Sequence, residues 1–158
     1  VKGGIDTSIA QRLIDILGPH GKVHITSERE LEPQFEPYRL KVNPLQIHHV
    51  MAEVDLYIGD SQTMAAEAAV LGVPAIRFND FVGKLGYLEE LEHKYQLTIG
   101  IPGTDPEKLF RTVEEMVVQK GIKEKWTKRK DFMLDQTIDV TSFMTKLFTQ
   151  YPEIIKEL

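Results

Sequence analysis

The hydrophobic positions of this chain switch between a helical and a strand period along its length. Ile5, Ile9, Leu13, Ile16 and Leu17 fall at helical spacing, with Asp6 or Thr7 as a cap and Gly18-Pro19 as a stop. Residues 22–27 (KVHITS) alternate Val23 and Ile25 against His24 and Thr26, which predicts a strand. Residues 28–37 are acidic and carry proline, which predicts a loop or a short, poorly formed helix. Residues 38–42 predict a second strand. Asn43-Pro44-Leu45 breaks it and opens a helix over 46–54.

The next stretch, 55–78 (DLYIGDSQTMAAEAAVLGVPAIRF), organises the rest. A short apolar run at 55–58 predicts a strand, and Gly59-Asp60-Ser61 is turn chemistry. Residues 62–71 are Ala-rich and helical. Gly72 and Pro74 stop that helix, and a further strand begins at 75–78. A βαβ unit this compact implies parallel strands and a right-handed crossover. Beyond it, 87–95 predicts an amphipathic helix with Leu88 and Leu91 inward, and 97–101 a strand. Asp105 and Pro106 form an N-cap and N1 pair for a helix over 107–119, with Leu109, Phe110, Val113, Met116 and Val117 on one face. A Lys-rich run at 120–130 surrounds Trp126. It reads as a solvated helix face with an aromatic anchor, or as a surface for acidic lipid. Asp139 caps a last helix whose Val140, Phe143, Met144, Leu147 and Phe148 form one stripe that must pack on something apolar.

The expected fold is therefore α/β: a three-layer, Rossmann-like parallel sheet of roughly five or six strands with helices on both faces. The 158 residues make one domain, with 42% hydrophobic and 27% charged residues, ordinary for a globular chain. No apolar run approaches a membrane span, no signal-peptide pattern is present, and cysteine is absent. Those features fit a cytoplasmic protein. A net charge of -5 argues against nucleic acid as a partner. The first residue is Val1 rather than Met, which fits one half of a two-domain protein whose N-terminal domain is missing.

In parallel sheets ligands bind beyond the carboxyl ends of the strands, where the turn 59–63 lies. A helix start there exposes unpaired N–H groups and the positive end of its dipole. Asp60 or Ser61 can cap it, and the amides of Gln62 and Thr63 would face a phosphate. Glu67, one turn in, suits vicinal sugar hydroxyls, or simply pairs with a neighbouring cation. Gly3-Gly4 before the first helix reads as a second phosphate-side loop or as a frayed strand end. His48-His49 are adjacent on a helix and point about a quarter-turn apart, so no metal site is expected. One of them can touch substrate, or rest half-buried on the helix. Arg77 can pair with a phosphate or with Glu67, and Lys84 can reach a phosphate as a point charge or stay solvated in its loop. No internal repeat, P-loop, Ser/His/Asp order or GxGxxG fingerprint with its downstream acid is present, which disfavours an NAD dehydrogenase.

Residues 60–68 (DSQTMAAEA) with Gly72-Val73-Pro74 resemble the UDP-GlcNAc 2-epimerase signature, roughly DSGGxxEEA followed by G-x-P and a strand. Residues 59–76 (GDSQTMAAEAAVLGVPAI) more closely resemble GDSGTMxxEAAxLGTPAI, the pattern of prokaryotic proteins described as predicted glycosyltransferases. The likeness spans residues 40–100 and is weak elsewhere. It implies the C-terminal, donor-nucleotide half of a two-domain GT-B architecture. It implies that the backbone at Ser61, Gln62 and Thr63 holds the diphosphate of a nucleotide-diphosphate sugar, UDP-linked for preference. Glu67 would hold the ribose, and Asn43, Pro44 and Leu45 would line the base pocket. No cofactor or metal is implied, and the catalytic base comes from the other domain. A lipid acceptor is a possible peripheral contact. The chain departs from the pattern at Gln62, where the relatives have glycine, which removes room for close backbone approach. The T-E-R-P-E loop of the epimerases is absent, although Arg77 roughly matches their strand arginine. An epimerase or hydrolase, using Asp60, His48 or His49, is thus the first alternative. A non-catalytic module that has lost the donor site is the second.

Overall fold

The structure, a computed structural model, describes residues 4–27 and 30–151. Seven α-helices and three strands alternate along them: α1 (Thr7–Leu17), α2 (Ile47–Glu53), β1 (Tyr57–Gly59), α3 (Gln62–Val70), β2 (Ala75–Asn79), α4 (Gly86–Glu89), β3 (Thr98–Pro102), α5 (Pro106–Val117), α6 (Ile122–Asp135) and α7 (Val140–Thr149). Short 3-10 turns at Pro33–Tyr38 and Pro44–Gln46 precede α2, and α4 runs on into one π-helical turn, Glu90–Lys94.

The strands form an open parallel sheet in the order β1-β2-β3. Tyr57 pairs with Ala75 and Gly59 with Arg77. Arg77 in turn pairs with Gly100, and Phe78 with Ile101. Every residue of β2 is buried, so the central strand is covered on both faces. Ile76, Phe78 and Ile101 join Ile9 and Leu13 of α1 and Leu109, Val113 and Met116 of α5 in the main core. Met51 of α2, Ala68 of α3, Val73 and Ala75 form a second, smaller cluster, against which Tyr57 and Met64 pack. The arrangement is α/β and consistent with a Rossmann-like fold.

Local chemistry explains the helix ends. Asp6, Ser61, Asp105 and Asp139 each accept a hydrogen bond from the amide three residues on, which satisfies one orphan donor of α1, α3, α5 and α7. Helix α3 closes on Gly72 at φ 80°, with Gly72 N–H donating to Ala69 O and Val73 N–H to Ala68 O. This paired C-terminal bonding needs a left-handed residue, which glycine supplies without strain. Ala65, Ala68 and Ala69 are fully enclosed, and their small size lets α3 lie close on the strands.

One expectation is corrected. Residues 22–27 and 38–42 do not become sheet strands; the sheet has three strands among the described residues, not five or six. They meet at a single parallel bridge between Ile25 and Arg39, held by Ile25 N–H to Tyr38 O and Leu40 N–H to Ile25 O. Val23 and Ile25 are only half-buried, so the alternation there has no covering layer to stabilise a longer ladder. The α7 stripe is left largely uncovered among the described residues: no residue of α7 is buried, and Phe148 stays 74% exposed. Gly3 and residues 28 and 29 lie outside the described residues.

Helix α6 is anchored differently. Trp126 is buried, stacks under Arg129 and donates its indole N–H to Leu97 O at 2.8 Å. Trp126→Phe should leave that buried carbonyl unpaired and cost about 1–3 kcal/mol of stability in urea unfolding. Phe148→Ser should change the same measurement by less than about 0.5 kcal/mol, because the ring it removes is solvated.

Candidate functional site

Because the strands are parallel, the turn after β1 and the loop after β2 share one carboxyl edge. Of the two candidate caps, Ser61 is the one used: its Oγ accepts from Met64 N–H at 3.3 Å. The Asp60 carboxylate instead lies against Gly4, where an added Cβ would sit 2.6 Å from Oδ2. That contact places the start of the described chain beside the turn. The amides of Gln62 and Thr63 have no acceptor among the described residues.

Asn79, at the end of β2, holds the two loops in register. Its buried side chain donates to Asp60 O at 3.0 Å and accepts from Phe81 N–H at 2.9 Å. Sequence reading places Asn79 in a loop rich in polar side chains and misses this role. The available signal is an asparagine at a strand end, where its amide can satisfy loop backbone on either side.

Glu67 faces outward from α3 beside α2. Its Oε2 lies 3.3 Å from His48 Nε2, with both side chains partly exposed. The two help line a shallow concavity of about 350 Å³, together with Thr63, Ala66, Val70, Leu71 and Tyr87. Thr63, Glu67 and His48 are thus brought together, and Tyr87 is a neighbour the sequence did not single out. His49 does not line this concavity. Asn43 caps the turn that leads into α2, with Leu45 N–H donating to its Oδ1 at 3.0 Å. Pro44 is the first residue of that turn, and Leu45 is 87% exposed with its side chain turned to solvent. Lys84 is exposed in the loop after β2, its ammonium 5.8 Å from the centre of the Phe81 ring.

Arg77 occupies a different place from either expectation. It is fully enclosed beneath the loop and pairs with Glu92, in short contact, and with Glu89 at 3.5 Å. It does not pair with Glu67. Its partner in β3 is Gly100, where a Cβ would crowd Glu92, Val82 and the guanidinium itself. Glu89 also accepts from Gly83 N–H at 3.0 Å and contacts His93 at 3.0 Å. Partial burial raises the Glu89 carboxyl, but the Gly83 amide, His93 and Arg77 outweigh it and hold the group below its ordinary value. Nε and Nη1 of Arg77 have no hydrogen-bond partner among the described residues.

Among the described residues no group of three or more His, Asp or Glu is placed to hold a metal ion, and no helix is long and apolar enough to cross a membrane. Asn79→Ala should orphan the Asp60 carbonyl and the Phe81 amide together. The expected cost is about 1–3 kcal/mol in urea unfolding. Compared with known proteins, the chain matches no family model, no curated protein and no solved structure.

Proposed function

We propose that this chain is the donor-binding domain of a GT-B-type glycosyltransferase, taking a nucleotide-diphosphate sugar, UDP-linked for preference. The observation that carries the reading is the start of α3. Two adjacent amides without acceptors among the described residues stand at the carboxyl edge of a parallel sheet, one turn from a carboxylate that lines a concavity. In this reading the diphosphate rests on the amides of Gln62 and Thr63 and on the positive end of the α3 dipole. Negative charge gathers on the diphosphate as the sugar–oxygen bond breaks, and fixed dipoles stabilise it without reorganising. Glu67 accepts from the ribose hydroxyls, which displaces its contact with His48. Lys84 supplies a mobile cation at the rim. Arg77 supports the sheet beneath the loop and does not touch the ligand. The group that activates the acceptor belongs to a second domain, so the chain alone binds donor without turning it over.

A second reading is favoured by Gln62. Where the resembling families have glycine, this side chain narrows the approach to the amides, as in a binding module that has lost its donor. Calorimetric titration with UDP and UDP-sugars separates the two. The donor reading expects saturable heat, with Kd between about 1 μM and 1 mM. Glu67→Ala should weaken UDP by about tenfold or more, while inorganic pyrophosphate binds the variant as it binds the parent. No heat with any nucleotide at millimolar concentration would falsify the donor reading and leave the module.

A further inference from the structure

Five of the side chains that line the concavity beside Glu67 come from one face of α3 and its end. They are Thr63, Ala66, Glu67, Val70 and Leu71, at i, i+3, i+4, i+7 and i+8. The polar groups come first along that face. Thr63 is in the first turn, and Glu67 in the next, where His48 of α2 meets it at 3.3 Å. Beyond Glu67 the face is apolar. At about 1.5 Å per residue, Glu67 stands about 6 Å along the axis from Thr63 and Val70 about 10 Å.

The remaining lining side chain is Tyr87, the second residue of α4. Its ring is half exposed and meets no other ring and no cation among the described residues. Val70 is also half exposed. An open aromatic ring beside apolar side chains disfavours a phosphate and suits an uncharged, flat group. A nucleotide-diphosphate sugar has its sugar on one side of the diphosphate and its ribose, then its base, on the other. With the diphosphate on the Gln62 and Thr63 amides and the ribose at Glu67, the group that follows along α3 is the base. The concavity of about 350 Å³ has room for that nucleoside. Asn43, Pro44 and Leu45, expected to line the base pocket, do not border it.

We propose that the nucleobase stacks on Tyr87 over the apolar end of this concavity, against Val70 and Leu71, so that the nucleoside lies along α3. The inference rests on the donor reading above and moves the base subsite from the turn before α2 to the far end of the α3 face.

The test is calorimetric titration of the parent chain and Tyr87→Ala with UDP and with ribose 5-diphosphate, which lacks only the base. Thermal unfolding first shows that the variant is folded. Loss of the stacking ring should weaken UDP by about tenfold and leave ribose 5-diphosphate within about twofold. Tyr87→Phe, which keeps the ring, should bind UDP within about twofold of the parent, as should Leu45→Ala. If Tyr87→Ala does not fold, Tyr87→Leu, which keeps apolar bulk without a flat face, provides the same comparison. UDP binding unchanged by loss of the ring, in a parent that binds UDP, overturns the base subsite alone. So does an equal loss for ribose 5-diphosphate, a loss in Tyr87→Phe equal to that in Tyr87→Ala, or a tenfold loss in Leu45→Ala. A parent that binds no UDP overturns the donor reading and this inference with it.

Discussion

A guanidinium with no access to water lies in the middle strand, and much of the structure follows from keeping it paired. Arg77 sits on a strand that is covered on both faces, so its charge must be met from within the protein. Glu92 and Glu89 meet it. They come from the segment where α4 passes into a π-helical turn, and that wider turn sets two carboxylates three residues apart over the same strand. Gly100 completes the arrangement, since a side chain there would occupy the space of the ion pair. Removing either carboxylate would leave part of a charge unmatched in the interior, which costs far more than the pair contributes over an apolar replacement. The interaction therefore fixes where the loop after β2 runs, because Glu89 also holds the Gly83 amide.

That loop borders the carboxyl edge, and Asn79 connects it to the turn that starts α3. A chain of contacts thus runs from the buried pair through the loop to Asp60 and the start of α3. On the near side, Gly59 leaves room for the Tyr57 hydroxyl, and α3 presses close through its alanines. Beside α2 the edge is open, and Glu67 and His48 are partly exposed there.

The elements legible in the sequence are those whose signals are local. The switch from apolar run to Ala-rich helix to apolar run marks β1, α3 and β2. Gly72 with Pro74 marks the turn between the last two, and aspartates mark the starts of α1, α5 and α7. What is not legible depends on distance. Arg77 meets a glutamate fifteen residues away, across a loop whose path the pattern does not specify. The path of the Tyr57 hydroxyl depends on the absence of a side chain two positions on, which no periodicity records. Residues 22–42 fail for another reason: alternation states which face would be buried, but a ladder also needs a layer to cover it. In the candidate site, the helix start and Glu67 follow from position alone, while Asn79 and Tyr87 follow only from how distant segments meet.

The last helix extends the same point. α5 and α7 both carry an apolar stripe at helical spacing behind an aspartate cap. In α5 the stripe is buried: Leu109, Val113 and Met116 reach the core beside α1. In α7 the same spacing leaves Val140, Phe143, Met144 and Phe148 exposed. Both helices start behind an aspartate that caps them, so capping does not explain the difference. α5 follows β3 directly and packs beside α1, whereas α7 follows α6, which itself puts Trp126 and Met133 into the core beside Leu97. An amphipathic pattern thus records the need for a covering surface. Whether the fold supplies one is decided by tertiary contacts that the pattern does not record.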